Sequence, residues 1–497
     1  MIDLTIRDLL NSRAKDTPHH PFLQNLDVTL SYQQVHARVQ AVATTVSEAG
    51  VSKGQSVGFA ASNSVDLAIA ILGLFYGGFR ATAINLVAGA KTIGYVLEHS
   101  ECCLILQDDQ GAEVLKEVTH ASGLPRLSIA DIKVSGNVRL SSPTLAANDD
   151  ALLMYTSGTT GQPKGVRLSH RNLIAGGQNT AIAHQLTEAD HAICSLPLYH
   201  INALCVTLLA PLVSGGSVLF TPKFSTLQFW PTIQSHQCTW FSLVPTQIGY
   251  LLHDPSPVLE LPHLRFGRSA SAPLSPDVQQ AFEARFKVPI IETMGLTETA
   301  AQILSNPLPP QVRKIGSPGI AFGNEVRIVD THNQAVEAEC EGEICIRGPN
   351  VMLGYLNNEQ ATQEALDADA WLHTGDLGKL DADGYVFVTG RIKELIIKGG
   401  ENIAPREVDE ALLSHPAVLE AAAFAADCQR YGQKVLAAAV LKPGMSIDHD
   451  VLLAHCSEKI GAFKAPQQIY FLEDLPKGPS GKVQRLKLAD VLITTSR

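Results

Sequence analysis

The strongest chemical signal in the sequence is a segment rich in glycine, hydroxyl side chains and lysine. It follows an apolar stretch and reads Tyr155-Thr156-Ser157-Gly158-Thr159-Thr160-Gly161-Gln162-Pro163-Lys164-Gly165. Backbone N–H groups, hydroxyls and a lysine on a flexible loop can surround phosphate oxygens. The spacing does not match a Walker A loop, and an ordinary surface loop seldom has this composition. The segment therefore predicts a phosphate-binding loop.

Two shorter segments contain further groups suited to a phosphorylated ligand. A glycine, a hydroxyl and a carboxylate stand close together in Glu292-Thr293-Met294-Gly295-Leu296-Thr297-Glu298. Gly295 can leave clearance for a ligand, Thr297 can donate to a phosphate, and Glu298 can bind Mg²⁺. A carboxylate that could accept hydrogen bonds from both hydroxyls of a ribose lies at a turn in Thr374-Gly375-Asp376. Each segment is a weak signal when it is taken alone.

Two basic segments lie near the C-terminal end of the sequence. A double glycine and several basic residues flank an apolar strand in the segment 390–403, which includes Lys393, Gly399 and Gly400. We expect a hinge there, with a domain boundary near Gly390–Lys393. Lys482 lies on a Pro/Gly-rich loop, from which a cation can extend into a neighbouring site. A solvated basic tail is the alternative interpretation of this loop.

The order of predicted elements indicates how these segments are positioned. Helical and β-rich stretches alternate up to Gly323, which predicts mostly parallel sheets covered by helices. Short strands separated by turns follow, as in a small β-barrel-like subdomain, and an α+β pattern begins at about Lys393. We predict helices at 33–49, 224–236 and 276–285, and strands at 56–60, 103–106, 151–156, 192–196, 217–220, 239–244, 289–293, 325–329, 342–347 and 385–388. The apolar stretch 196–213 is predicted as a strand, a turn and a buried helix, because its prolines and His200 argue against a membrane span.

Composition and charge exclude several classes of protein. With 45% hydrophobic and 18% charged residues, the chain is typical of a globular protein rather than a disordered or fibrous one. Its net charge of −11 argues against non-specific nucleic-acid binding and against an anionic membrane surface. Nine cysteines without a C-x-x-C pair predict reduced thiols in the cytoplasm. No signal peptide, membrane span or zinc-ligand spacing is found in the sequence, and a homodimer is one option for the oligomeric state.

Taken together and in this order, the five segments resemble the motifs of the adenylate-forming superfamily. This superfamily includes acyl- and aryl-CoA synthetases, adenylation domains of non-ribosomal peptide synthetases, and luciferases. The resemblance implies an α/β fold with a large N-terminal domain (1–392) of two helix-covered β-sheets plus a β-barrel-like subdomain. It also implies a small, mobile α+β domain (393–497) that carries the catalytic Lys482.

The resemblance further implies roles for individual residues. The phosphates of ATP are expected to contact Thr156, Ser157, Gly158, Thr159, Thr160, Gly161 and Lys164. The adenine is expected beside Ser271, Ala272, Pro273, Thr293, Met294 and Gly295, where Met294 replaces an aromatic residue that often stacks on adenine. Contacts to the α-phosphate and Mg²⁺ are expected from Thr297 and Glu298, and contacts to the ribose from Asp376 and Arg391. Lys393 is the expected hinge, and the CoA tunnel is expected beside Gly399 and Gly400.

The chemistry that the resemblance implies is a two-step acid–CoA ligation. A carboxylate attacks the α-phosphate of ATP to give an acyl-AMP and pyrophosphate, and the thiol of CoA then displaces AMP. The expected catalytic residues are Lys482, Thr297, Glu298 and His200. The main alternative is a stand-alone adenylating enzyme that transfers the acyl group to a carrier protein or an amine. No carrier domain or Gly-x-Asp-Ser attachment motif follows Lys482, which favours free CoA as the acceptor. A luciferase-like oxygenase and a non-enzymatic binding module are less favoured.

The acyl pocket that the resemblance implies is lined by His200, Asn202, Ala270, Gly295, Ala301 and Gln302. The methyl group of Ala270 is expected to shorten the pocket. An alkyl chain would leave the amides of Asn202 and Gln302 without hydrogen-bond partners. The segments 269–272 and 305–309 are also similar to those of oxalyl-CoA synthetases. We therefore predict a short, polar acid, such as a small dicarboxylate or hydroxy acid. The alternative is that His200 only gates the site and the two amides bond the backbone.

Overall fold

The structure is a computed structural model that describes residues 3–134, 143–156, 162–477 and 483–494. Six residues of the predicted site lie outside the described residues: Ser157, Gly158, Thr159, Thr160, Gly161 and Lys482. The α-helices are α1 (Ile6–Asp16), α2 (Tyr32–Glu48), α3 (Val65–Gly77), α4 (Ala90–His99), α5 (Asp109–Lys116), α6 (His170–Ala183), α7 (Ala210–Ser214), α8 (Thr226–His236), α9 (Pro245–His253), α10 (Pro276–Phe286), α11 (Glu359–Ala365), α12 (Pro405–Leu413), α13 (His449–Lys464) and α14 (Arg485–Thr494). An eight-residue π-helix, Asn202–Leu209, runs directly into α7. Short 3₁₀ turns are formed by Thr119–Ala121, Ile129–Asp131, Thr297–Thr299 and Ile392–Glu394.

One sheet of the N-terminal part has seven strands, in the spatial order β18, β8, β7, β4, β3, β5, β6. Their bounds are β3 (Ser56–Ala60), β4 (Arg80–Ala83), β5 (Leu104–Gln107), β6 (Arg126–Ser128), β7 (Asp150–Thr156), β8 (Lys164–Ser169) and β18 (Gly354–Tyr355). The strands from β7 to β6 pair in parallel, whereas β7–β8 and β8–β18 are antiparallel. The predicted phosphate-binding loop therefore connects the two strands of a hairpin.

The second sheet has nine strands, in the spatial order β15, β14, β13, β12, β11, β9, β10, β1, β2. Their bounds are β1 (Pro21–Gln24), β2 (Thr29–Ser31), β9 (His191–Cys194), β10 (Ser217–Phe220), β11 (Trp240–Leu243), β12 (Phe266–Ser269), β13 (Ile290–Leu296), β14 (Ala301–Ser305) and β15 (Ile320–Ala321). The strands β11, β12 and β13 pair in parallel. Their carboxyl ends consequently meet at one edge, which is where parallel sheets bind ligands.

Helices join the two sheets into one core. Helix α6 contacts β7 and β8 of the first sheet and β14 of the second. It begins at its observed position because Ser169 and Asn172 form a capping box, in which each side chain bonds the other residue's backbone N–H. Helix α3 is apolar and buried on nearly all sides, and it packs against α2 and against β3, β4 and β7. The functional loops therefore extend from a rigid, close-packed support.

Two smaller sheets follow. The β subdomain is antiparallel, with strands β16 (Glu325–Val329), β17 (Gly342–Arg347), β19 (Leu372–Leu380) and β20 (Val386–Arg391). The C-terminal part has its own sheet of β21 (Ile396–Lys398), β22 (Glu401–Ile403), β23 (Val418–Cys428), β24 (Gly432–Leu441) and β25 (Ile469–Phe471). Helices α12 and α13 share a separate apolar core with this sheet. The 3₁₀ turn Ile392–Glu394 connects the two sheets, and a domain boundary at residue 393 stays a prediction.

The predicted α/β fold is confirmed, and the predicted strands 56–60, 217–220, 325–329 and 342–347 have the observed bounds. The prediction for 196–213 is wrong in part, because the stretch contains no strand. Strand β9 ends at Cys194, and the stretch continues as a loop, the π-helix and α7. A run that is apolar on every face has the same pattern in a buried strand and in a buried helix. None of the described helices has the length and apolar character needed to cross a bilayer.

Candidate active site

The hairpin of β7 and β8 fixes both ends of the predicted phosphate-binding loop. Thr156, the last residue of β7, pairs with Lys164, the first residue of β8. The ammonium group of Lys164 lies 4.8 Å from the ring centre of Tyr355, which belongs to the edge strand β18. Contact with an aromatic face positions an ammonium group without neutralising it. The hairpin therefore places a charged lysine at the end of the loop.

Glu298 reaches the same region from the second sheet. It lies in the 3₁₀ turn between β13 and β14, and the hydroxyl of Tyr355 donates a 3.0 Å hydrogen bond to its Oε1. Burial, and then the charge of Glu298, raise the pKa of Tyr355, so its hydroxyl remains a donor. Carboxylate oxygens are ligands that Mg²⁺ prefers, so Glu298 fits a magnesium site.

Asp376 and Arg391 form an ion pair at the edge of the β subdomain. They face each other across β19 and β20, and Nε of Arg391 donates to Oδ1 of Asp376 at 2.6 Å. Asp376 is buried within β19 rather than at the predicted turn, and the Gly375 N–H before it donates a 2.8 Å hydrogen bond to Oε1 of Glu343. Asp376 and, more weakly, Glu298 raise the pKa of Arg391. The predicted ribose-binding pair thus lies close to the predicted magnesium ligand.

The segment 271–273 follows β12 at the carboxyl edge of the second sheet. Ser271 has a left-handed φ of +74°, and the next two residues are exposed. Such backbone is unusual for a residue with a side chain and is concentrated at functional sites. The buried hydroxyl of Thr293 bonds within the sheet, where it donates to the Ser269 carbonyl at 3.0 Å. Met294 is half-buried and packs against the apolar core of the β subdomain.

The predicted acyl pocket has a polar inner end. Asn202 and Gln302 are buried, and Arg268 donates to both, to Oδ1 of Asn202 at 2.7 Å and to Oε1 of Gln302 at 3.2 Å. Nδ2 of Asn202 donates to Oγ of Ser271 at 3.4 Å. Nε2 of Gln302 donates to the backbone carbonyl of Asn179, also at 3.4 Å. Asn202 therefore links the segment 271–273 to an inner polar cluster, whereas Gln302 lies wholly inside that cluster.

The remaining pocket residues lie on neighbouring elements. Ala270 and Ala301 are buried, and Ala301 has a left-handed φ of +78°. His200 packs edge-to-face against Tyr199, with 4.7 Å between ring centres, just before the π-helix. A Cβ atom on Gly295 would lie 2.0 Å from the carbonyl oxygen of Ala301. The close approach of β14 therefore requires a glycine there, in addition to the ligand clearance that the sequence predicts.

The residues predicted for the hinge and the CoA tunnel follow β20 in the chain. Lys393 is exposed in the connecting 3₁₀ turn. Gly399 and Gly400 have φ values of +62° and +87° and join β21 to β22. A two-residue hairpin turn with positive φ at both positions strongly favours glycine. Both glycines are exposed, and a Cβ on Gly400 would meet nothing within 4 Å.

The sequence does not predict three residues that contribute to the site. Tyr355 contacts both Lys164 and Glu298, and no local pattern marks it. Arg268 and Glu292 are single charges within otherwise apolar strands, which is the signal that could have found them.

Glu292 is a buried carboxylate on β13. Its Oε1 accepts a 3.1 Å hydrogen bond from the Leu274 N–H, and its Oε2 has no donor in the described chain. Burial raises the pKa of Glu292 to about 7, and the opposing influences of the Leu274 N–H and of Arg406 are smaller. The carboxyl group of Glu292 therefore titrates near neutral pH.

Glu292→Gln is expected to stabilise the protein at pH 8. The pKa of Glu292 is higher in the folded chain than its ordinary value of 4.5. The free energy of unfolding therefore falls as the pH rises from 4.5 to about 7. Glutamine removes this loss, which amounts to about 3 kcal/mol at most. Melting curves of Glu292→Gln should show a clear increase in melting temperature at pH 8 and a small increase at pH 5. The control Glu473→Gln, at an exposed position, should change the melting temperature equally at pH 8 and pH 5. An equal change at the two pH values for Glu292→Gln would contradict the prediction.

Comparison with known proteins identifies the family. Residues 10–356 match the family model for AMP-binding enzymes, and residues 407–482 match that for the AMP-binding enzyme C-terminal domain. The sulfoacetate–CoA ligase of Cupriavidus necator is 43% identical to this chain, with 97% of each chain covered. The oxalate–CoA ligase of Arabidopsis thaliana is 35% identical, again with 97% of each chain covered.

A solved structure gives the same result at the level of the fold. The o-succinylbenzoate coenzyme A synthetase of Bacillus subtilis, in complex with ATP and magnesium ion, is 30% identical and superposes with a TM-score of 0.88. The superposition covers 98% of this chain and 100% of that one. The resemblance inferred from the five motifs is therefore confirmed. The chain belongs to the AMP-binding enzyme family.

Proposed function

We propose that the substrate of this enzyme, an AMP-forming acid–CoA ligase, is a short, polar carboxylic acid. The acid reacts with ATP to give an acyl-AMP and pyrophosphate, and the thiol of CoA then displaces AMP. Two relatives of nearly the same length are named for CoA ligation of sulfoacetate and oxalate, which are both short and polar. The relatives support the CoA acceptor over a carrier protein or an amine.

The site residues have complementary roles in adenylation. Two anions must approach each other, so positive charge is required. Lys164 supplies it from the first sheet, while Asp376 and its ion-pair partner Arg391 bind the ribose from the β subdomain. Glu298 is the residue that would hold Mg²⁺, which neutralises phosphate charge when bound. At about 4 Å and an effective dielectric constant of about 20, one cation contributes on the order of 4 kcal/mol.

The polar inner end of the acyl pocket is the observation that carries the substrate proposal. Asn202, Ser242, Arg268 and Gln302 meet there in one hydrogen-bonded cluster. Ala270 is buried directly after β12, the strand that carries Arg268, and we expect its methyl group to limit the depth of the pocket. The amide and hydroxyl groups of this cluster bond one another, so an alkyl chain beside it would leave the charge of Arg268 buried without a counter-ion, which is unfavourable. A short acid with a polar end avoids that cost.

A panel of acids tests the proposal directly. Oxalate, malonate, sulfoacetate, glycolate, octanoate and cinnamate are each supplied with ATP, Mg²⁺ and CoA, and AMP, pyrophosphate and thioester are measured. We expect the highest kcat/KM for one of the short, polar acids. A higher value for octanoate or cinnamate would contradict the substrate class. Pyrophosphate release without thioester would favour transfer to a carrier protein or an amine.

The double glycine in the turn between β21 and β22 provides a separate prediction. Gly400→Leu is expected to spare pyrophosphate release and to suppress thioester formation about tenfold or more, because a bulky side chain would obstruct the pantetheine of CoA. Strain is confined to the exposed hairpin turn, so the fold should persist. Gly444→Leu is the matched control, since Gly444 is also exposed with a positive φ of +76° and a Cβ there would meet nothing within 4 Å; it should keep both half-reactions. If Gly400→Leu lowered pyrophosphate release as much as thioester formation, or more, the role of Gly400 in CoA binding would be contradicted.

Location and assembly are the remaining parts of the proposal. The described cysteines are free thiols, and most of them are buried, which supports a reducing compartment such as the cytoplasm. We also propose a homodimer, and sedimentation velocity at micromolar concentration distinguishes it from a monomer.

A further inference from the structure

Arg268 is a buried cation surrounded by neutral groups. Arg268 as a whole residue is 1% exposed, and it lies on β12 within the second sheet. Nη1 donates to Oδ1 of Asn202 at 2.7 Å and to Oγ of Ser242 at 3.0 Å, and Nε donates to Oε1 of Gln302 at 3.2 Å. Within the described ranges no carboxylate pairs with this guanidinium. The charge is therefore held in position but is not neutralised.

The titratable neighbours of Arg268 do not supply the missing negative charge. Burial raises the pKa of the Cys205 thiol to about 12, and it holds the pKa of His184 well below its ordinary value, so both are uncharged at neutral pH. Burial also lowers the pKa of Arg268, but only to about 9, so the guanidinium remains charged. A buried charge without a counter-ion is strongly unfavourable.

A second arginine in the same chain shows the usual arrangement. The guanidinium of Arg485 donates to Oδ2 of Asp409 at 2.6 Å and to Oε2 of Glu394 at 3.2 Å. Its side chain is 14% exposed, more than the residue exposure of Arg268, and yet it has two carboxylate partners. The contrast indicates that the charge of Arg268 is retained for a partner from outside the chain.

The position of Arg268 indicates where that partner enters. Arg268 and Ser242 each lie one residue before the carboxyl end of a parallel strand, at the ligand-binding edge of the sheet. Asn202 begins the π-helix, a form of helix that often marks functional sites. Its amide connects Arg268 to Ser271 in the segment that follows β12. The charge thus lies directly behind the predicted acyl pocket.

We propose that Arg268, with Asn202 and Ser242, forms a subsite for a second anionic group of the acid substrate. The group is a carboxylate or a sulfonate at the end opposite the reacting carboxylate, and the substrate is accordingly a short dianion. A guanidinium binds such groups with charge-assisted hydrogen bonds. The inference rests on the proposed function and narrows its substrate class.

Pairs of acids that differ only in charge test the subsite. Oxalate is compared with oxamate, and malonate with malonamate, by measuring kcat/KM for thioester formation. The wild type should prefer the dianion in at least one pair, and Arg268→Gln should lower that preference about a hundredfold. Because each ratio is measured within one variant, a partial loss of folded protein cancels. The control is Arg265→Gln, which removes a charge near the opposite end of β12, where Arg265 pairs with Asp190; it should keep the wild-type ratio.

Asn202→Asp provides a second variant in case Arg268→Gln does not fold. It places a carboxylate next to Arg268, so it should raise the melting temperature and abolish the preference for the dianion. The subsite would be overturned if the wild type used the dianion and its monoamide equally well. It would also be overturned if both variants kept the wild-type ratio of the two kcat/KM values. Either result would leave the assignment as a CoA ligase in place. Failure of the wild type to form a thioester from any acid would instead overturn the proposed function.

Discussion

Replacing Lys482 with alanine is expected to slow acyl-AMP formation about a thousandfold. The resemblance makes this lysine the cation that extends from the C-terminal domain toward the reacting phosphate. A cation at about 4 Å, with an effective dielectric constant of about 20, contributes on the order of 4 kcal/mol, which corresponds to that change in rate. Thioester formation from a pre-formed acyl-AMP should be nearly unchanged, because that step does not bring two anions together. Single-turnover measurements of each half-reaction give the two rates.

The ends of the segment that carries Lys482 are anchored independently of it. Lys477 and Val483 form an isolated β-bridge, and the Lys477 ammonium pairs with Glu420 at 2.8 Å. Lys482→Ala should therefore leave the fold intact. Lys487→Ala is the matched control, since it removes the same charge from an exposed position on α14, and it should keep both rates. Similar losses in both half-reactions of Lys482→Ala would show that this lysine acts structurally.

Local patterns were sufficient to predict much of the fold. Strand β10 has the predicted bounds because a short apolar run is enclosed by residues that end it, with Gly215 at a left-handed φ of +88° on one side and Pro222 on the other. Helix α2 begins one residue before its predicted start, after Ser31 has formed a capping box with Gln34. Such signals lie within a few residues of the element that they define.

The contacts of the site depend on tertiary structure, and local patterns do not contain them. Tyr355 reaches Glu298 only because the edge strand β18 pairs with β8 in the other sheet. Arg268 meets Asn202 because the π-helix packs against β11 and β14, on either side of β12. Each contact joins residues more than fifty positions apart in the chain. Pattern and spacing indicate candidate functional groups, but not which groups bond one another.

Gly295→Ala is expected to lower kcat/KM about a hundredfold and to destabilise the fold by about 2–3 kcal/mol. The added Cβ would lie 2.0 Å from the carbonyl oxygen of Ala301 and 3.0 Å from the N–H nitrogen of Gln302. These are backbone atoms, so the clash cannot be relieved by a change of rotamer, and β14 must move away from β13. Gln302 would then move relative to Arg268, and Glu298, in the turn between the two strands, would move relative to Tyr355.

A glycine without such a neighbour provides the comparison. Gly249 lies in α9, and a Cβ there would meet nothing within 4 Å. Gly249→Ala should therefore stabilise the protein by about 1 kcal/mol through helix propensity and keep wild-type activity. Thermal melting and steady-state kinetics of both variants separate the two effects. Wild-type activity in Gly295→Ala would show that the site tolerates separation of β13 and β14. A loss of activity without a loss of stability would instead assign this glycine to ligand clearance alone, since the added methyl group would then obstruct the ligand and not the strand.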